Sequence, residues 1–216
     1  MKAPEQRTPR AGRSPGPARA PESVAAHPLG RLAASGRATW IAGLWAFAEA
    51  SLFFVVPDVW LGYVALYAPR RAARGLAAVA IGAMAGGALL YLASAAAPAT
   101  MGDLLDALPG VALADLGQAH AELAAQGLAA FLNGPLQGLP VKLYVHEAVS
   151  LGEPLPGVAV MVALNRAERI GISTLVMALA GVLGRRLVAR FPVPIAAVYA
   201  AGWAIFYAVY WLARSA

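Results

Sequence analysis

Residues Phe47-Ala-Glu49-Ala-Ser-Leu-Phe53-Phe54-Val-Val-Pro57-Asp58-Val59 lie near the centre of an apolar run over 38–68. As one straight helix this run would measure about 45 Å, against a hydrocarbon core of about 30 Å. Pro57 removes a backbone donor and clashes with the turn before it, so a helix ends there. Asp58 follows at once. The flanks decide the reading. Arg31 and Arg37 precede the run, and Arg70, Arg71 and Arg74 follow it. Basic flanks favour the cytoplasmic side of a membrane, so both ends belong on that side. A broken segment with both ends on one face reads as a re-entrant hairpin.

Working outward, 75–97 is uninterrupted and long enough for one crossing. Its Gly82-Ala-Met-Ala-Gly86 is a small-xxx-small face for close helix packing. The stretch 98–126 carries Asp103, Asp106, Asp115 and Glu122 without a lysine or arginine, as an external connector should. Asp115, Gln118, Glu122 and Gln126 make a polar stripe opposite Leu113, Leu116 and Leu123. This predicts a short amphipathic helix lying on the membrane surface, with His120 in a structural place near its apolar face. The region 127–151 is broken at Asn133-Gly134-Pro135 and again at Gly138-Leu139-Pro140, which reads as a second re-entrant hairpin entering from outside. A span over 158–184 then returns to Arg185, Arg186 and Arg190, and 192–212 makes a last span ending in Trp203, Tyr207, Tyr210 and Trp211.

This plan places the basic clusters on one side. The expected fold is an all-α polytopic membrane protein over 38–213, an inverted repeat of re-entrant helical hairpins plus spanning helices. Such broken, inverted repeats recur in transporters. Composition agrees: the 216 residues are 60% apolar and 13% charged, far from globular averages. The net charge of +6 does not point to nucleic acid, because seven of the seventeen basic residues lie in the first 37 positions and most others flank apolar segments. Residues 1–37, rich in Pro, Arg, Ala and Ser, read as a disordered basic cytoplasmic tail. They do not read as a secretory signal, which needs an apolar core directly after its basic end. Without cysteine there is no disulfide and no thiolate chemistry.

The residues with chemistry sit inside apolar regions. Glu49 and Asp58 lie in the first hairpin, Lys142, His146 and Glu147 in the second, and Asn165, Arg166, Glu168 and Arg169 in the following span. Each ionised group near a bilayer centre costs roughly 2.5–3.5 kcal/mol, so these groups should face one another or water. The expectation is a central cavity with Glu49 and Asp58 opposed to Lys142, Arg166 and Arg169. The alternative is that such pairs only fix helix register, with Arg166, Glu168 and Arg169 at the interface. Enzyme motifs are poor. His146-Glu147 opens an H-E-x-x-H pattern, but Ser150 stands where the second histidine is needed. Ser51 has no evident histidine partner, and neither a G-x-S-x-G elbow nor a P-loop occurs. No catalytic residue, cofactor or metal is expected.

The run Phe47–Val59 resembles the first hairpin of the DedA family, the bacterial members of the SNARE-associated Golgi protein (VTT-domain) superfamily. There a glutamate, an aromatic stretch and a proline beside an acid recur. The Gly82–Tyr91 segment is similar to the family's glycine-rich helix. Gly138-Leu-Pro140-Val-Lys142-Leu-Tyr144 resembles the second hairpin of a DedA-like subgroup. Val141 replaces the usual aromatic, Leu-Leu-Tyr-Leu-Ala-Ser departs from the family's Gly-x-Tyr-x-x-x-Gly end, and Glu147 is unusual. The resemblance implies a flippase or scramblase of the bacterial cytoplasmic membrane, N-terminus inside, acting on a lipid or lipid phosphate such as polyprenyl phosphate, with proton coupling. It implies that Glu49 and Asp58 form an acidic pair, one of them carrying a proton. Lys142 with Arg166 or Arg169 would be the basic partners, and Pro57, Pro135 and Pro140 the hairpin breaks. The partners would be membrane lipids and protons, with a homo-oligomer compatible and nucleic acid not. A membrane scaffold and a proton-coupled exporter of small solutes are the other two readings.

Overall fold

The computed structural model describes residues 28–108, 111, 113–133 and 138–215; among these the regular structure is all helical, with no strand. The tail 1–27 and the break at Pro135 lie outside the described residues. A short helix α1 (Pro28–Ala33) occupies part of the stretch that composition assigned to the tail. Helix α2 (Arg37–Ser51) follows, then a break over 52–57, then α3 (Asp58–Tyr67). Helix α4 (Pro69–Ala96) begins two residues after α3 ends, so Arg70, Arg71 and Arg74 form its first turns.

Next come α5 (Pro98–Asp106), α6 (Leu113–Gln126) and a 3₁₀ segment, Gly127–Leu132. Helix α7 (Val141–Ser150) starts directly after Pro140. Then follow α8 (Leu155–Leu183), the short α9 (Arg185–Arg190) and α10 (Pro192–Ser215). Two long helices thus each follow a broken pair of shorter elements. Proline explains where several elements begin. Pro69, Pro98, Pro156 and Pro192 sit in first turns, where the missing donor costs nothing.

Helices α2 and α4 pack backbone to backbone. The buried face of α2 is small, Ala38, Ala42, Ala46 and Ala50. A Cβ added at Gly82 would collide with the Gly43 carbonyl, and one at Gly86 with the Phe47 carbonyl. Gly181 of α8 meets the Leu66 carbonyl of α3 in the same way. Only glycine admits that approach.

Helices α4 and 192–212 of α10 are long and apolar enough to cross a membrane, and none of the apolar window in α10 is buried. At 29 residues α8 is about 43 Å long, also ample, but Arg166, Glu168 and Arg169 interrupt its apolar sequence near the middle. Its outer face shows Ile172, Leu175, Val176 and Leu179 exposed. The amphipathic α6 differs from its expected place. Its apolar residues Ala119 and Leu123 are buried and α6 packs on α7, with Tyr144 donating to Glu122 Oε2 at 2.6 Å. Of the expected apolar stripe, Leu123 is thus taken up by protein, while Leu116 is half-buried. His120 is exposed, its ring paired with Glu147 Oε2 at 2.9 Å.

Candidate functional site

The first break leaves backbone groups without helical partners, and side chains from three other elements reach them. The Trp45 indole donates to the Val55 carbonyl at 2.8 Å. Lys142 Nζ donates to the Phe53 carbonyl at 2.7 Å. The Val56 amide donates to the Tyr207 hydroxyl at 2.9 Å. Just past the break, Tyr199 of α10 donates to the Asp58 and Val59 carbonyls in the first turn of α3, at 3.0 and 3.1 Å. An irregular segment enclosed by apolar helices persists only when its polar groups are met in this manner.

Four charged side chains of the candidate set are almost wholly enclosed: Glu49 (4% exposed), Asp58 (5%), Lys142 (3%) and Arg166 (3%). Helix α8 supplies both arginines. Arg166 Nη2 donates to Glu49 Oε1 at 2.6 Å, and Arg169 Nη2 to Asp58 Oδ2 at 3.1 Å. The spacing of three places both guanidinia on one helix face. Glu168, between them, is exposed and belongs to neither pair. Ser173, one turn on, donates to Asp58 Oδ1 at 2.5 Å. Asn165 donates to the Phe131 carbonyl at 2.6 Å.

Lys142 departs from the expectation. It was to share the acids with the arginines, but among the described residues no carboxylate lies within ion-pair distance of its ammonium. Each arginine holds one acid through a single Nη2 donor, and the lysine, entering from α7, meets a carbonyl instead.

A cavity of about 280 Å³ opens over these groups. Glu49, Lys142, Asn165, Arg166 and Arg169 line its charged part. Phe54, Leu139, Phe206, Tyr207, Tyr210 and Trp211 line its apolar part. Pro140 lines it too, at the start of α7, and Pro57 precedes the first turn of α3. Several buried polar atoms on the lining residues have no hydrogen-bond partner among the described residues: Glu49 Oε2, Asn165 Oδ1, Arg166 Nε and Arg169 Nε. Such atoms ask for water or a ligand.

The residues missed from sequence are Trp45, Ser173, Tyr199 and the hydroxyl role of Tyr207. Only the aromatic run in α10 hinted at the last two. His146 and Glu147 turn to different partners, Ser94 at 3.1 Å and His120. Ser51 donates to carbonyls of its own helix. The chain matches no protein-family model, no curated protein and no solved structure.

Proposed function

We propose that this chain is a membrane-embedded translocator that takes the phosphate of an anionic lipid beside Lys142 and carries it between leaflets. The excess charge of the site is the observation that carries the reading. Lys142, Arg166 and Arg169 face Glu49 and Asp58, three cations against two acids, and the two acids are already engaged by the arginines. The remaining cation lines a cavity and meets only a carbonyl among the described residues. An enclosed ammonium with no ion pair of its own among the described residues favours an anionic ligand, and phosphate offers the acceptor oxygens that lysine and arginine suit.

Amphiphile recognition is supported by the cavity itself, charged at one part and aromatic at the other. A scaffold would need only neutral pairs, and a small polar solute would not call for the ring of Phe54, Phe206, Tyr210 and Trp211. Embedding is supported by two helices of sufficient length and apolarity, by the exposed apolar faces of α8 and α10, and by the side-chain partners that reach Phe53, Val55 and Val56 in the first break. In this reading the breaks are re-entrant, the membrane is the bacterial cytoplasmic one with the N-terminus inside, and the protein is DedA-like. Glu49, held at one oxygen and unpartnered at the other, exchanges the coupling proton.

The test is flipping of a fluorescent phosphatidic acid by purified protein in liposomes. The wild type accelerates it, and the triple variant Glu49→Gln, Asp58→Asn, Lys142→Ala does not. Equal rates with the two proteins would rule the reading out.

A further inference from the structure

A second cavity, about 440 Å³, lies on the other side of the Arg169–Asp58 pair. Asp58, Ser173, Met177, Val198, Gly202 and Trp203 are among its lining residues, and its surface is otherwise nearly all apolar. Two features relate it to the first. Phe206 lines both, and the ion pair divides them, Arg169 on the headgroup side and Asp58 on the other, 3.1 Å apart. The second cavity is a groove between α8 and α10, with Val176 and Val198 on its exposed flanks.

From this shared wall at Phe206 we infer that the groove holds the hydrocarbon chain of the same lipid whose phosphate sits at Lys142. The inference rests on the proposed function and adds where the tail goes. A wall with almost no polar surface cannot replace the hydration of a headgroup, so only the apolar part of the ligand gains there. The chain crosses at Phe206, and the Arg169–Asp58 pair stands beside the junction of head and tail. One amphiphile thereby fills both cavities, and the headgroup is selected by charge while the tail is selected by length and shape. Gly202 gives a handle on this. Gly202 lines the groove and a Cβ there meets nothing within 4 Å, so the backbone leaves room for a larger side chain at the groove wall. It also replaces a helix-interior glycine, which favours the helix.

The experiment uses the full chain in liposomes containing a hexadecyl phosphate with a photoreactive diazirine midway along its chain. A matching hexadecanol probe reports contact with bulk lipid. After photolysis, labelled peptides are mapped for the wild type, Gly202→Leu and Lys142→Ala. The phosphate probe should label the Met177 and Val198–Phe206 segments, and that labelling should fall several-fold in both variants. The alcohol probe should label the same segments weakly and equally in all three proteins. Phosphate labelling that is unchanged in Gly202→Leu would overturn the groove assignment. If Lys142→Ala abolishes lipid flipping while Gly202→Leu changes neither labelling nor flipping, the groove fails and the headgroup site stands. If Lys142→Ala changes neither, the headgroup reading fails as well.

Discussion

Arg166 Nη2 reaches Glu49 Oε1 across 2.6 Å, tying the middle of α8 to the last turn of α2, 117 residues away in the chain. Both side chains are buried, so the pair is largely removed from bulk water. Pairs of this kind contribute little net stability, but losing one member leaves the other charge uncompensated.

Glu49→Gln should therefore lower stability by about 3–5 kcal/mol, the cost of breaking a buried pair. The double variant Glu49→Leu, Arg166→Met, close in volume and uncharged, should recover most of that stability. It should still fail to move lipid. Thermal unfolding in detergent, followed by tryptophan fluorescence, and the flipping assay together separate the two roles.

Tyr207→Phe removes only the oxygen that accepts from the Val56 amide. An unsatisfied buried donor costs about 1–3 kcal/mol. Amide exchange at Val56 should accelerate, while amides in the middle of α4 keep their protection. Hydrogen–deuterium exchange with peptide mapping reads this directly.

Gly86→Ala should destabilise strongly, since even one methyl meets the Phe47 carbonyl and backbone cannot yield as a side chain can. Gly117→Ala in α6 is the control. Its added methyl meets nothing within 4 Å, and it should stabilise by up to about 1 kcal/mol through helix propensity alone. Melting temperatures of the two variants should move in opposite directions.

Lys142→Arg keeps a cation in the cavity but trades a compact ammonium for a planar fork. Anionic lipid should still bind, with altered headgroup preference, whereas Lys142→Met should lose the preference for anionic over zwitterionic lipid. Competition binding with phosphatidic acid and phosphatidylcholine in nanodiscs measures both.

Much of this arrangement was readable from the chain. Pro57, Pro140 and Pro192 mark where α3, α7 and α10 start, because a missing donor acts locally. In contrast, α2 stops at Ser51, six residues before Pro57, and α4 starts at Pro69, six residues before the expected span. The Gly82–Gly86 spacing announced a close helix contact. Charge inside apolar sequence identified Glu49, Asp58, Lys142, Arg166 and Arg169, since each must be compensated somewhere. Which acid meets which base was not readable. The choice depends on the rotation of α8, which sends Arg166 and Arg169 inward and Glu168 outward. The service of Tyr207 to the first break and of Tyr199 to the first turn of α3 was equally hidden, because a tyrosine on an apolar helix carries no sign of where its hydroxyl points. The docking of α6 on α7 escaped for a similar reason: an amphipathic stripe fits a protein surface as well as a lipid one.

The account depends most on the first broken segment entering and leaving the membrane on the same face. The chain has no cysteine, so single cysteines at Gly36, Ala73, Ala114, Ser150 and Ala189 can be tested with a membrane-impermeant maleimide on intact cells and on inverted vesicles. Positions 36, 73 and 189 should react only in inverted vesicles, and positions 114 and 150 only in intact cells. Labelling of position 73 from outside would mean that 38–68 crosses the bilayer once, and the charged cavity would then lack the geometry this account requires.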